Sequence, residues 1–247
     1  MNKIKNNTIE TRDRIIVALD YSNMEDAKKM INNLGENASV YKVGLELFLN
    51  SEGKMVDYLV EQKKKVFLDL KFHDIPNTAA MASIFASKEK CFMFNVHASG
   101  GKKMMQTVAE KVKEVNKEVL IIAVTVLTSL SEEEVKETFN SNFTLTELAE
   151  NWAKLTKEAG LDGIVSSPWE AKSIKEICGK DFKTICPGVR PEWSVANDQK
   201  RIMTPKKAIL NGCDYLVIGR PITGHAEPKV AFNLILEEIE EALLELN

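Results

Sequence analysis

Eight short apolar runs punctuate this chain, at residues 15–19, 40–43, 66–70, 91–96, 119–126, 163–165, 182–186 and 215–218. Each is of strand length, and each gives way to a stretch whose apolar residues recur with helical spacing. Residues 23–31, 101–115, 144–159 and 168–178 are clear examples, and residues 228–246 make a long final helix with Glu237, Glu238, Glu240 and Glu241 on a solvated face. Eight strand–helix units in 247 residues have the size and rhythm of a (β/α)8 TIM barrel. A doubly wound parallel sheet stays open as the alternative, because alternation alone does not separate the two.

Nothing divides the chain: no linker, low-complexity segment or charge block interrupts residues 1–247, so one barrel domain is expected. Residues 1–13 are polar and read as a short helix or frayed tail ahead of it. Hydrophobic residues at 44% and charged residues at 28% are ordinary for a globular chain. A net charge of -3 gives no basic surface for nucleic acid or for a membrane, so an anionic substrate needs a local basic pocket. Cys91, Cys178, Cys186 and Cys213 lack CxxC spacing and read as buried, reduced thiols, with no zinc site. The first residues carry no apolar signal segment, and no run of about 18 apolar residues exists. A cytoplasmic protein without a membrane partner is expected.

In a barrel the chemistry collects at the C-terminal ends of the strands. Here those ends are crowded with polar groups. The first carries Asp20, the second Lys42, the third Asp69 and Lys71 with Asp74 just beyond, and the fourth Asn95 and His97. Strand side chains alternate, so Asp69 and Lys71 share a face. A buried acid and amine are costly unless paired. Asp20, Lys42, Asp69, Lys71 and Asp74 form a set of alternating sign in which each group would hold its neighbour ionised. A catalytic network and a structural ion-pair ring explain this equally well at this point. The last two loops suit a phosphate: Arg190 follows the seventh strand, and Gly219 and Arg220 follow the eighth.

The stretch Asp69-Leu70-Lys71-Phe72-His73-Asp74-Ile75-Pro76-Asn77-Thr78 resembles the active-site signature of the orotidine 5'-phosphate decarboxylases, bacterial branch. The similarity extends through Val17-Ala18-Leu19-Asp20, Tyr41-Lys42-Val43-Gly44, Asn95-Val96-His97-Ala98 and Val124-Thr125-Val126-Leu127-Thr128-Ser129. It continues in Pro187-Gly188-Val189-Arg190-Pro191, Asp198-Gln199-Lys200-Arg201 and Gly219-Arg220-Pro221-Ile222-Thr223. It covers nearly the whole chain after about Arg14, in the family's order. The Asp-x-Lys-x-x-Asp core is shared with sugar-phosphate relatives; the flanking Ile-Pro-Asn-Thr and the late Asp-Gln-Lys-Arg are more specific.

The resemblance implies decarboxylation of orotidine 5'-monophosphate to UMP, the last step of de novo pyrimidine nucleotide synthesis, on a phosphate-binding barrel without metal or cofactor. It implies that Lys71 protonates C6 and that Asp69 sits against the substrate carboxylate. Lys42 would hold the Asp69 side and contact the ribose, as would Asp20. Asp74 and Thr78 would reach into the other subunit's site, making a homodimer with the active site at its interface. Ile75 and Pro187 would contact substrate, Thr128 and Ser129 would face the pyrimidine, and Gln199, Arg190, Gly219 and Arg220 would hold the phosphate. Residues 191–199 would form a closing loop. Two rivals make other predictions. A magnesium-dependent sugar-phosphate decarboxylase or synthase of the same superfamily would lose activity in EDTA. A non-catalytic nucleotide-binding barrel would have no reason to keep Asp69, Lys71 and Asp74 together.

The remaining aromatic and imidazole groups read as structural. His97 is expected to satisfy a local hydrogen bond, His73 to pack, and His225 to be an exposed loop residue. Trp152 and Trp169 fall in helical patterns and read as packing; Trp193 lies in the proposed closing loop, where the family pattern gives it no place.

Overall fold

The computed structural model describes residues 9–88, 91–127, 129–194 and 203–246. Eight parallel strands close in sequence order: β1 (Ile15–Leu19), β2 (Val40–Gly44), β3 (Lys65–Phe72), β4 (Met93–His97), β5 (Leu120–Val124), β6 (Gly163–Val165), β7 (Lys183–Pro187) and β8 (Tyr215–Ile218). β8 pairs back onto β1, with Ile16 opposite Val217, and this closure excludes the doubly wound alternative. The helices are α1 (Met24–Leu34), α2 (Leu45–Asn50), α3 (Lys54–Glu61), α4 (Pro76–Lys88), α5 (Gly101–Val115), α6 (Glu132–Phe139), α7 (Leu145–Glu158), α8 (Ala171–Cys178), α9 (Pro205–Leu210), α10 (Arg220–Thr223) and α11 (Pro228–Leu246).

The strands read as unbroken apolar runs because both of their faces are buried. One face fills the barrel with Ile16, Val40, Phe67, Met93, Ile122, Ile185 and Tyr215. The other, including Val17, Tyr41, Leu68, Phe94, Ile121 and Leu216, packs beneath the helices. Two residues further along the lumen-facing positions the apolar character stops: Val40 is followed by Lys42, Phe67 by Asp69 and Met93 by Asn95. That switch places polar groups on the barrel's upper rim.

Helices α1, α6, α7 and α9 start where a side chain accepts one of the free N–H groups. The Asn23 side chain accepts from the Asp26 N–H at the start of α1, which buries Ala27, Ile31 and Leu34 on one stripe. Ser131 with Glu134, and Thr144 with Glu147, form capping boxes ahead of α6 and α7. α11 buries Ala231, Phe232, Ile235, Ile239 and Ala242. Its acidic face is less solvated than the pattern implies: Glu238 is half-buried and accepts from the Lys206 N–H.

The segment before β1 is part of the barrel floor. A short 3-10 helix at Thr11–Arg14 turns Asp13 inward, where it pairs with Lys65 and accepts from the Ser39 hydroxyl. Arg14 Nη1 donates to the Asp214 carbonyl at 3.1 Å. All four cysteines are buried, and no disulfide joins them among the described residues.

Candidate active site

β3 delivers the chemistry, by way of a local distortion. Its register with β4 slips between Leu68 and Phe72, and Lys71 takes a left-handed backbone with φ of 52°. A β-bulge re-aims a side chain. A lysine with positive φ costs about 1–3 kcal/mol unless its surroundings hold it. Asn95 on β4 supplies the hold. Its Oδ1 accepts the Lys71 backbone N–H at 2.8 Å, and its Nδ2 donates to Asp69 Oδ1 at 2.6 Å. Asn95 is fully buried, and sequence reasoning left it out of the site; the signal was a lone amide in an apolar strand at a lumen position. Asn95→Ala is expected to destabilise the protein by about 2 kcal/mol, since it removes two hydrogen bonds from a partly buried site and leaves the Lys71 N–H without its acceptor. Urea unfolding measures this; an unchanged midpoint would mean that another group holds Lys71.

The acid–amine expectation is realised for four of its five members. Lys71 Nζ donates to Asp69 Oδ1 at 2.7 Å. Lys42 Nζ sits 3.3 Å from Asp69 Oδ2 and 3.0 Å from Asp20 Oδ1. The order across the rim is therefore Asp20, Lys42, Asp69, Lys71. Burial pushes the Asp69 carboxyl up, but Lys42 and Lys71, with hydrogen bonds from Lys71 and Asn95, outweigh it and hold the group below its ordinary range. Asp69 is thus a largely enclosed carboxylate, favoured in its ionised form by the two ammonium groups beside it.

The fifth member stands apart. Asp74 is exposed, its carboxylate accepting only the N–H of its own neighbour Ile75 at 2.7 Å among the described contacts. Ile75 and Thr78 are exposed beside it. None of the three lines the cavity that Lys42, Asp69 and Lys71 border.

That cavity, of about 200 Å³, has a polar and an apolar half. Opposite the ionic array stand Val124, Val126, Leu127, Val165, Val217 and Pro187, over a floor made by Phe67. From the loop after β5, then, apolar side chains line the space, whereas Ser129 is exposed and lies outside the lining. Thr128 and Gln199 fall outside the described residues, as does most of the expected closing loop.

The arginines meet in a neighbouring cavity of about 260 Å³, lined by Arg190, Arg220, Trp193, Ser194, Pro221, Gly224 and His225. Arg190 lies three residues beyond Pro187 and Arg220 three beyond Val217, so the loops after β7 and β8 carry both cavities. Gly188, with φ of 78°, makes the turn out of β7 that a side chain would strain. Gly219 joins the two halves: a Cβ there would stand 3.5 Å from Asp20 Oδ2. A cleft with two guanidinium groups after the last two strands suits a phosphate.

The outlying residues partly depart from the sequence reading. His97 is half-buried, and burial first, then His73 and Lys71, keep its imidazole below the usual range. His73 is exposed rather than packed, its ring 5.3 Å from that of His97. Trp152 packs against the core and edge-on to Phe139. Trp169 is 59% exposed, a correction to its reading as packing. It lines an outer groove of about 570 Å³ between α8 and α9, larger than either rim cavity and bordered by Lys172 and Lys207. Size alone would single out this groove, but the ionic array is elsewhere.

Comparison with known proteins agrees with this geometry. A family described as "Orotidine 5'-phosphate decarboxylase / HUMPS family" matches residues 13–235. An orotidine 5'-phosphate decarboxylase of Syntrophomonas wolfei is 44% identical over 239 residues, covering 94% of this chain and all of that one. One from Legionella pneumophila is 47% identical over 227 residues, covering 92% and 99%. The crystal structure of orotidine 5'-phosphate decarboxylase from Lactobacillus acidophilus superposes with a TM-score of 0.82 at 35% identity, over 92% of this chain and 99% of that one. On its rim residues, its closed barrel and these relatives alike, the chain belongs to the orotidine 5'-phosphate decarboxylase / HUMPS family.

Proposed function

We propose that this protein decarboxylates orotidine 5'-monophosphate to UMP and carbon dioxide, closing de novo pyrimidine nucleotide synthesis. The observation that carries this reading is the buried Asp69 anion clamped between Lys42 and Lys71 in front of an apolar wall. Loss of carbon dioxide from C6 leaves an electron pair with no adjacent carbonyl to delocalise it. An ammonium fixed at that position stabilises the developing carbanion more than the ground state. Lys71 fills this role and then gives C6 its proton. Asp69, held ionised, disfavours the substrate carboxylate beside it and loses that repulsion as neutral carbon dioxide departs toward the valines. Lys42 and Asp20 hold the array and face the ribose, with Pro187 and the loop carrying Thr128 and Ser129 toward the base. Arg190, Arg220, Gly219 and Gln199 take the phosphate, whose binding energy is used at the distant carbon.

Purified protein in EDTA should consume orotidine 5'-monophosphate, followed as falling ultraviolet absorbance. Turnover that depends on added magnesium would favour the sugar-phosphate relatives' chemistry instead.

The working unit in this proposal is a homodimer in the cytoplasm. Leu45, Leu49, Ile75, Met81 and Phe85 are 42–68% exposed on α2, α4 and the turn before α4, an apolar surface next to Asp74 and Thr78. A second copy would cover it and carry Asp74, Ile75 and Thr78 into the facing site. Among the described residues no helix is long and apolar enough to cross a membrane.

A further inference from the structure

Neither Trp193 nor His225 has a place in the chemistry above, yet the fold brings them together. Their rings meet edge-on, with centroids 5.5 Å apart and planes at 79°. One comes from the loop after β7 and the other from the turn after α10, and both line the cavity that holds Arg190 and Arg220. The turn is tight: a Cβ at Gly224 would stand 3.1 Å from the Arg220 carbonyl oxygen, so the glycine lets the chain bring residue 225 back beside that arginine.

The ring's orientation is fixed on a second side. His225 Nδ1 lies 3.0 Å from both the backbone nitrogen and the carbonyl oxygen of Glu227, so either tautomer ties this nitrogen to the chain. In the tautomer in which Nδ1 accepts the Glu227 N–H, the ring proton is on Nε2, which is then a donor. Beside two guanidinium groups, a donor that need not add a third positive charge is the favourable kind. Glu192 and Glu227 lie on the same two loops; Glu192 lines a separate cavity with Lys206 and Glu238.

We propose that His225 is a third phosphate-binding side chain, donating from Nε2 to a phosphate oxygen, and that Trp193 is the positioning residue that holds its ring in place. This rests on the reading of the arginine cavity as the phosphate site.

Calorimetric titration with UMP and with uridine tests both levels. The wild type should bind UMP more tightly than uridine. His225→Ala should weaken UMP about tenfold, the worth of one hydrogen bond to a charged group, and leave uridine binding unchanged, which also reports intact folding. His225→Gln should recover part of the loss through its amide donor. Trp193→Ala should weaken UMP about threefold and Trp193→Phe should restore it. If the wild type prefers UMP and His225→Ala keeps the whole preference, the histidine assignment is overturned while the phosphate site stands. If Trp193→Ala binds UMP like the wild type, the positioning role is overturned. If the wild type binds the two ligands equally, the phosphate reading itself fails.

Discussion

Lys71→Ala is expected to lower kcat/KM for orotidine 5'-monophosphate by about 10⁴-fold or more while UMP affinity stays within about tenfold of the wild type. Two losses combine. The variant has no proton donor at C6, worth about 10²–10⁴ for a positioned acid, and no cation beside the developing carbanion, worth about 10²–10³. Binding is expected to persist because the proposed phosphate grip, Arg190 and Arg220, lines the other cavity. Folding persists because Asp69 keeps Lys42 at 3.3 Å and the Asn95 amide at 2.6 Å. Single-turnover rates and UMP titration separate these contributions. Normal decarboxylation by the variant would assign the proton to another group and remove the central step of the mechanism.

Mixing two dead proteins should produce a live one. Lys71→Ala and Asp74→Ala homodimers are each expected to be inactive, one lacking the proton donor and the other the carboxylate supplied across the interface. After subunit exchange, half the dimers are mixed, and each mixed dimer pairs an intact Lys71 with an intact Asp74 at one of its two sites. Activity should rise to about a quarter of the wild-type value. The premise is the position of Asp74, exposed and outside the cavity its own chain forms. A mixture that stays inactive after complete exchange, shown by mass-tagged subunits, would place Asp74 in its own subunit's chemistry.

Much of this was legible in the sequence because strands buried on both faces are bounded sharply by the residues that end them. Runs at 15–19, 163–165 and 215–218 coincide with β1, β6 and β8. The ionic residues were legible for a related reason: a lysine or aspartate in line with barrel-filling side chains stands out, although a structural ion-pair ring explained it as well as a catalytic network did. The means of holding them was not. The bulge after Leu68 and the left-handed Lys71 depend on a hydrogen bond from a strand 24 residues later. Period-two alternation carries no information about such a contact. Helical spacing likewise marks Trp169 as part of a packed helix, but it falls in the turn before α8 begins and is exposed. The Trp193–His225 contact joins loops that the β7–β8 pairing makes neighbours, in a barrel that β8 then closes onto β1.

That closure also sets the order of events during synthesis. β1 is hydrogen-bonded on one side to β2 and on the other to β8, and Arg14 is tied to Asp214 across 200 residues. Until the last strand leaves the ribosome, the nascent chain is an open sheet with two unpaired edges. A long closing contact of this kind is slow to form, so the chain is most vulnerable to misassembly late in translation. A release factor or stop codon acting a few dozen residues early would leave no smaller working enzyme, only a barrel that cannot shut.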